Sequence, residues 1–245
     1  MKREEIENQL RTLPIASWAY PRILLGIPLE RTISNASMVF HRFMEISAQG
    51  IVTLKQDYTR TDLARNRFAV KLLESEYTHL LMLDLDHVHP ADIVQRLARW
   101  VMMNPEIQVV GGLNFRRSEP YEPCCFFKSE DGMSVNAPAD WSPGLMRVDY
   151  IGTGSILIAR EVFEKIEPPW FFNIYGIDAN WDDEWPGEDI GFSEKCAKVG
   201  VKMYVDTTTT SPHVGDRLIG EKTFRAYLEQ HPEKYQRMEQ KGATS

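Results

Sequence analysis

The first half of the chain alternates short apolar runs with segments whose apolar residues recur at helical spacing. Apolar runs typical of strands buried on both faces occupy residues 22–29, 51–54, 80–85 and 107–113. Helical spacing is found in residues 35–48, 61–75 and 91–103. This order predicts a β-α-β-α-β-α-β arrangement with a mostly parallel sheet and right-handed crossovers.

The second half is richer in turn-forming residues and less regular. Its strand candidates are residues 125–127, 146–150, 151–158 and 202–205, and its helix candidates are residues 160–166, 188–199 and 218–240. Two segments are expected to be loops, residues 167–187, which are rich in aromatic side chains, and residues 207–215. The pattern also predicts a short polar helix within residues 1–20.

These patterns predict one α/β domain with a Rossmann-like, mostly parallel central sheet flanked by helices. The expected divisions are an N-terminal helix and linker (1–21), the main domain (22–216) and a helical C-terminal tail (217–245). The main domain is expected to consist of a regular first half (22–113) and a second half (114–216) with a small antiparallel portion.

The composition narrows the class of protein. The chain has 245 residues, with 28 Lys and Arg against 35 Asp and Glu, and a net charge of -7 weighs against broad electrostatic binding of nucleic acid. Its three cysteines lack the spacing of a disulfide framework or a zinc site, which favours a reducing compartment. No apolar run has transmembrane length, and the charged N-terminus lacks the apolar region of a signal peptide, so a cytoplasmic location is expected.

Two carboxylates, Asp84 and Asp86, stand at the end of the third apolar run. Residues two apart on a strand point to the same side, so both side chains are expected to converge beyond the carboxyl end of the strand, where open α/β sheets bind ligands. Paired carboxylates there suit a divalent cation that holds a phosphorylated substrate. The alternative is that these residues only form a turn or cap the next helix.

Other polar residues have both a functional and a structural interpretation. Arg65 lies on a predicted helix, where its planar fork suits a phosphate or a base carbonyl, unless it belongs to an exposed helix face. Glu188 and Asp189 open a helix, where acidic residues are favoured with or without a catalytic role. His213 offers an imidazole to a metal ion, or else caps backbone beside Pro212.

Two further histidines, His87 and His89, follow the acidic pair. They alternate with Asp86 along the predicted strand and so do not share its face. We therefore expect them to support the site or to be structural. The neighbouring Cys124 and Cys125 are expected to be buried strand residues without a catalytic partner.

Several segments stand in one order along the chain. They are Pro28 at the end of the first strand, Ala64-Arg65-Asn66 on a helix, Leu83-Asp84-Leu85-Asp86, Ile151-Gly152-Thr153-Gly154, Gly187-Glu188-Asp189 before a helix, and Ser211-Pro212-His213. This ordered set resembles the GT-A fold nucleotide-sugar glycosyltransferases, especially the family 2-like group, over residues 22–216.

The resemblance implies a role for each matching position. Asp86 would bind the metal directly, Asp84 would contact the ribose or a metal-bound water, and His213 would complete the metal site. The donor nucleotide and its sugar would be bound by Pro28, Glu30, Arg65, Asn66, Asp84, Leu85, Gly152, Thr153 and Gly154. The general base would be Asp189, with Glu188 orienting the acceptor or the base. In the aromatic loop, Trp185 is assigned to the acceptor side or a lid because it stands close to Glu188.

The predicted activity is metal-dependent transfer of a sugar from a nucleoside diphosphate sugar to a hydroxyl acceptor, with inversion if Asp189 is the base. The cofactor would be Mn²⁺ or Mg²⁺. A UDP-sugar is the favoured donor by resemblance, and the acceptor stays open among a glycan, a protein, a lipid-linked glycan and a modified nucleic-acid base.

Three other functions compete with this one. They are a nucleotidyltransferase or pyrophosphorylase, a non-catalytic nucleotide-sugar binding module, and a glycosidase with two carboxylates. The first usually has a glycine-rich basic loop after the first strand, which residues 28–32 do not provide. The last leaves the predicted nucleotide-side residues unexplained.

Overall fold

The computed structural model describes residues 1–29, 36–57, 60–129, 135–173, 187–215 and 217–233. Its helices are α1 (Arg3–Thr12), α2 (Ala36–Ser47), α3 (Thr61–Leu73), α4 (Ile93–Met103), α5 (Arg160–Lys165), α6 (Glu188–Lys198) and α7 (Glu221–Gln230), with a 3-10 helix at Ile15–Ser17. Among these residues, no helix is long and apolar enough to cross a membrane.

The strands are β1 (Ile23–Leu29), β2 (Val52–Asp57), β3 (His79–Leu83), β4 (Val109–Asn114), β5 (Cys125–Lys128), β6 (Val135–Asn136), β7 (Leu145–Val148), β8 (Tyr150–Ile151), β9 (Ser155–Ala159), β10 (Met203–Ser211), β11 (His213–Val214) and β12 (Leu218–Ile219). A seven-stranded central sheet has the order β2-β1-β3-β9-β4-β10-β7. Two small antiparallel sheets, β6-β5-β8 and β11-β12, flank it.

Five strands of the central sheet run in one direction, while β9 and β7 run against them. Strand β9 lies between β3 and β4 and is antiparallel to both. All of its residues are buried, as expected for an interior strand. The predicted fold class, a mostly parallel sheet flanked by helices with small antiparallel parts, is confirmed.

The two faces of the sheet bury separate apolar clusters. Strand β3 shows why: Leu80 and Met82 pack into one cluster, while Leu81 and Leu83 pack into the other. Successive strand side chains point to opposite faces, so a wholly apolar strand needs helices on both sides. Helix α3 covers the first face and α4 the second.

The prediction of a loop over residues 207–215 is wrong in part. Strand β10 continues to Ser211, with a shift of register between Asp206 and Thr210, and β11 follows at once. A polar strand is tolerated here because the buried carboxylate of Asp206 accepts hydrogen bonds from Arg99, Thr208 and Thr209.

The segment after residue 217 is not one long helix. It begins with strand β12 and continues as α7. Phe224 and Leu228 of α7 are buried in the cluster on the α3 side of the sheet. The last residues of the predicted helical tail, 234–245, lie outside the described part of the chain.

Candidate active site

The carboxyl ends of β3, β4 and β10 meet at one edge of the sheet, and two backbone segments pair beyond it. The amide of Val88 donates to Pro212 O at 2.9 Å, and the amide of Val214 donates to Asp86 O at 2.7 Å. This short antiparallel pairing sets His87 opposite His213. It brings together residues that are 127 positions apart in the sequence, namely Asp86 and His213.

The side chains at this pairing form a cluster of one carboxylate and two imidazoles. His87 Nδ1 lies 2.8 Å from Asp86 Oδ1, and His213 Nε2 lies 2.9 Å from Asp86 Oδ2. The two imidazole rings are stacked, with 4.1 Å between their centroids. Burial opposes ionisation of Asp86, but hydrogen bonds from His213 and His87 hold its pKa below the ordinary value.

The chemistry of this cluster fits a divalent metal ion. Ligand atoms of Asp86, His87 and His213 all lie within 4.8 Å of one another. Ligands about 2.0–2.2 Å from one ion are at most about 4.4 Å apart, so the cluster needs little adjustment. A carboxylate with two imidazoles suits Mn²⁺ better than Mg²⁺.

The partner of His213 Nδ1 supports this fit. That nitrogen lies 2.9 Å from the carbonyl oxygen of Phe115, which can only accept a hydrogen bond, so Nδ1 carries the proton. Nε2 faces Asp86 Oδ2 and donates the hydrogen bond to it, and replacement of that Nε2 proton by a cation would leave the Nε2 lone pair to bind the ion. A backbone carbonyl that fixes the tautomer in this way is typical of metal-binding histidines.

The expected convergence of Asp84 and Asp86 on one ion does not occur through strand periodicity. Strand β3 ends at Leu83, and Leu85 and Asp86 form a turn, so the two-residue repeat does not extend to the acidic pair. For the same reason, the argument that placed His87 away from Asp86 is wrong. His87 joins the cluster, and Asp84 turns toward Arg65 instead.

Arg65 connects three distant parts of the chain. Its Nη2 donates to both carboxylate oxygens of Asp84 at 3.0 Å, its Nε to Glu188 Oε1 at 3.1 Å and its Nη1 to Thr153 O at 3.4 Å. The residue is 1% exposed, so the alternative of an exposed helix face is wrong. Burial alone would lower the pKa of Arg65, but the carboxylates of Asp84 and Glu188 raise it above its ordinary value.

The fork of Arg65 is thus occupied by protein carboxylates. Its position in α3 follows from the helix geometry, because Arg65 shares the buried face of α3 with Ala64, Phe68, Ala69 and Leu72. Burial raises the pKa of Asp84 although Arg65 opposes the shift. A direct contact between Arg65 and a nucleotide stays a prediction.

Asn66 uses its whole amide within the protein. Its Nδ2 donates to Asp62 O and Phe171 O, and its Oδ1 accepts from the amides of Trp170 and Phe171. An asparagine side chain has two donor hydrogens and two acceptor positions, and these four bonds satisfy them. Asn66 therefore anchors the start of the aromatic loop, while its predicted nucleotide contact is untested.

Asp189 lies at the start of α6, where the predicted general base is expected. Its Oδ1 accepts a hydrogen bond from the amide of Ile190 at 2.8 Å, as a first-turn carboxylate does. Burial and then the neighbouring charge of Glu188 raise the pKa of Asp189 to about 6. Desolvation, and then the charge of Asp189, raises the pKa of the half-buried Cys124 thiol.

The backbone at Gly152 and Gly154 packs closely against residues of the site. Gly152 donates to Cys124 O at 2.7 Å, and an added Cβ would lie only 2.7 Å from the Cβ of Cys124. Gly154 O accepts from the amide of Asp84 at 2.9 Å. An added Cβ at Gly154 would lie 3.0 Å from His87 Cε1 and from Asn114 Nδ2. The bare backbone there is needed for close packing of the cluster.

Only some of the remaining residues that the sequence analysis singled out lie in the described part of the chain. Pro28 is buried on β1, opposite Gln56, and Leu85 packs into the core on the α4 side of the sheet. Glu30 and Trp185 lie outside the described residues. His89 is buried, with Nε2 bonded to Asp84 O and Nδ1 to Ser211 Oγ, and burial lowers its pKa to about 3.

Sequence reasoning missed two groups beside the cluster. Asn114 ends β4, and its Oδ1 accepts a hydrogen bond from Ser155 Oγ at 3.1 Å. Arg117, a little further along, has its Nη2 3.8 Å from Asp86 Oδ2. Their position just after a predicted strand in an α/β sheet is the signal by which they could have been found.

No protein-family model and no curated protein sequence matches the chain. The structure is similar to that of A197 from STIV, with a TM-score of 0.50 and 21% identity over 81% of this chain and 93% of that chain. It is also similar to GalNAc-T7, crystallised with UDP, GalNAc and Mn²⁺, with a TM-score of 0.47 and 13% identity over 86% of this chain and 42% of that one.

A third solved structure is glucosyl-3-phosphoglycerate synthase from Mycobacterium tuberculosis, in complex with Mn²⁺, UDP-glucose and phosphoglyceric acid. Its TM-score is 0.46, with 10% identity over 88% of this chain and 77% of that chain. At these identities, the likeness to A197 shows a shared α/β fold and nothing about activity.

Proposed function

We propose that the protein is a metal-dependent glycosyltransferase that moves a sugar from a nucleoside diphosphate sugar to a hydroxyl acceptor. One observation carries this proposal. The buried Arg65 binds Asp84, which stands two positions before the candidate metal cluster, and Glu188, which directly precedes Asp189 with its pKa of about 6. The resemblance of the ordered motifs to GT-A enzymes supports the same function.

The residues of the chain divide the work of such a transfer. Asp86, His87 and His213 would hold a divalent cation, which stabilises the negative charge that develops on a departing diphosphate. Asp189 takes the proton from the acceptor hydroxyl as that oxygen attacks the anomeric carbon. A single carboxylate base beside the attacking oxygen implies inversion of the anomeric configuration.

The environment of Asp189 suits this role. Its raised pKa makes it a stronger base than an exposed aspartate, and it is still mainly ionised at neutral pH. Glu188 contributes to the shift, while its own carboxylate is held by Arg65. Glu188 is therefore a positioning residue for the base.

The nature of the donor and the acceptor belongs to the proposal as well. A UDP-sugar is favoured by the resemblance, and Mn²⁺ by the two imidazoles of the cluster. The acceptor is a molecule with a nucleophilic hydroxyl group.

The first experiment is a thermal-shift panel of UDP, GDP, CDP and dTDP with and without Mn²⁺. Ligands that bind the native state raise the unfolding temperature. We expect one nucleotide to stabilise the wild type only with Mn²⁺, and to lose this effect in Asp86→Ala but not in Asp140→Ala, whose carboxylate is exposed and pairs with Arg225. No shift with any nucleotide at saturating concentration would overturn the proposal.

A second experiment separates transfer from binding. With the nucleotide sugar identified by that panel, Asp189→Asn is expected to keep the donor shift and to lose release of the nucleoside diphosphate. Release of pyrophosphate from a nucleoside triphosphate and a sugar phosphate would instead show a nucleotidyltransferase. Binding without either reaction would favour the non-catalytic module.

A further inference from the structure

A hairpin over residues 115–123 lies beside the candidate metal-binding cluster of Asp86, His87 and His213. Phe115 and Pro123 form an isolated antiparallel bridge at its base, and the amide of Arg116 donates to Glu122 O at 3.0 Å. Arg116 Nη1 also lies 3.1 Å from Glu122 Oε1 across the hairpin. The carbonyl of Phe115 holds His213, so the hairpin and the cluster are built as one unit.

Arg117 lies on this hairpin beside the cluster. Its Nη2 is 3.8 Å from Asp86 Oδ2, which is longer than a hydrogen bond, and its side chain is 53% exposed. Neighbouring cations are engaged elsewhere, since Arg116 pairs with Glu122 and the guanidinium of Arg217 lies 5.5 Å from the centroid of the Tyr121 ring. Arg117 thus keeps donors that can turn toward a ligand at the cluster.

The charges at the cluster favour an anionic ligand beside Arg117. A divalent ion bound to Asp86 keeps a net positive charge, and a diphosphate carries more negative charge than that ion neutralises. A guanidinium at the same carboxylate supplies further positive charge and a fork that matches phosphate oxygens. Arg65, which the sequence had suggested for such a role, is buried and bonded to two carboxylates.

We propose that Arg117 and the Asp86–His87–His213 cluster together form a diphosphate-binding subsite. The inference rests on the proposed function for the identity of the natural ligand, a nucleoside diphosphate, but not for the binding of diphosphate itself. Arg117 touches the diphosphate oxygens and lowers the energy of their negative charge, while the cluster holds the cation.

The test is a calorimetric titration of pyrophosphate into the full-length protein in the presence of Mn²⁺. The variants are Arg117→Ala, Arg117→Lys and, as a matched control, Arg147→Ala. Arg147 is an exposed arginine on the edge strand β7, paired in register with Tyr204 near the start of β10 and so away from the end that carries His213.

We expect Arg117→Ala to weaken pyrophosphate binding by about tenfold or more, the effect of losing a charged hydrogen bond. Arg117→Lys should be intermediate, and Arg147→Ala should bind like the wild type. Binding of Mn²⁺ alone should be equal or tighter in Arg117→Ala, because a positive charge beside the ion is removed. A merely structural role would weaken both affinities together.

Two results would overturn the subsite. The first is failure of the wild type to bind pyrophosphate in the presence of Mn²⁺. The second is an affinity of Arg117→Ala for pyrophosphate within about twofold of the wild-type value, a difference too small for a lost charged hydrogen bond. If pyrophosphate binds through Arg117 while no nucleoside diphosphate binds, the subsite stands and the proposed donor class fails. The pyrophosphate titration and the nucleotide thermal-shift panel therefore distinguish failure of one proposal from failure of the other.

Discussion

Arg65 and Glu188 are 123 positions apart in the sequence, and the Nε of Arg65 donates to Oε1 of Glu188 at 3.1 Å. The same guanidinium also donates to Asp84, two positions before Asp86 of the cluster. Through this buried arginine, the loop that carries Asp86 and His87 is joined to the helix that carries Asp189. Each predicted half of the main domain thus supplies one side of the site.

Replacement of Arg65 is expected to destabilise the protein strongly. Arg65→Met leaves the carboxylates of Asp84 and Glu188 without their counter-charge, and breaking one partner of a buried ion pair costs about 3–5 kcal/mol of unfolding free energy. Urea denaturation measures this change. The control is Arg67→Met on the exposed side of the same helix. Equal losses in both variants would contradict the linking role of Arg65.

The rate of the proposed transfer is expected to rise with pH around pH 6. Asp189 acts as a base only when ionised, and its pKa is about 6. A profile of kcat/KM against pH should therefore show an acidic limb near that value. A limb near the ordinary pKa of aspartate would mean that Asp189 is not the base.

Asp189→Asn is expected to stabilise the folded protein at neutral pH. The folded-state pKa of Asp189 is raised, so ionisation of this carboxyl destabilises the fold above about pH 6, and this cost disappears as the pH falls toward the ordinary aspartate value. The unfolding temperature of the variant should therefore be higher than that of the wild type at neutral pH. The two temperatures should become similar near pH 4. Asp140→Asn, at an exposed position, serves as the control.

His87→Ala is expected to weaken Mn²⁺ binding by about tenfold or more, as the loss of one ligand should. His231→Ala, at a partly exposed residue that follows the C-terminal end of α7, should leave the affinity unchanged. Calorimetry gives both values. Binding should also weaken as the pH falls, because protonated imidazoles do not bind a metal. An unchanged affinity in His87→Ala would leave Asp86 and His213 as the protein ligands among the described residues.

Gly154→Ala is expected to weaken Mn²⁺ binding without removing a ligand. The new Cβ would lie 3.0 Å from His87 Cε1 and from Asn114 Nδ2, so the imidazole of His87 must move. At Gly215 a Cβ meets its first neighbour at 3.5 Å, an ordinary contact, which makes Gly215→Ala the matched control. Equal affinities for Mn²⁺ in both variants would show that His87 tolerates the displacement.

Much of the architecture could be predicted from hydrophobic periodicity. The run at residues 80–83 is apolar on both faces, which requires helices on both sides of the sheet, and the structure buries Leu80 and Leu81 in opposite clusters. Hydrophobic periodicity failed to predict strand structure where polar residues are buried together with their hydrogen-bond partners. Residues 207–211 were predicted to be part of a loop because hydropathy does not show that the neighbouring Asp206 is hydrogen-bonded to Arg99.

The sequence by itself determined which groups are available: the acidic pair, the late histidine, the acidic start of α6 and the strands whose ends carry them. Only the tertiary structure decided how they are combined. Strand β3 ends one residue before Asp84, and the pairing of residues 86–88 with 212–214 selects Asp86, His87 and His213. Side-chain periodicity holds only within a regular element, whereas contacts between distant segments depend on where each strand ends and which backbone it meets.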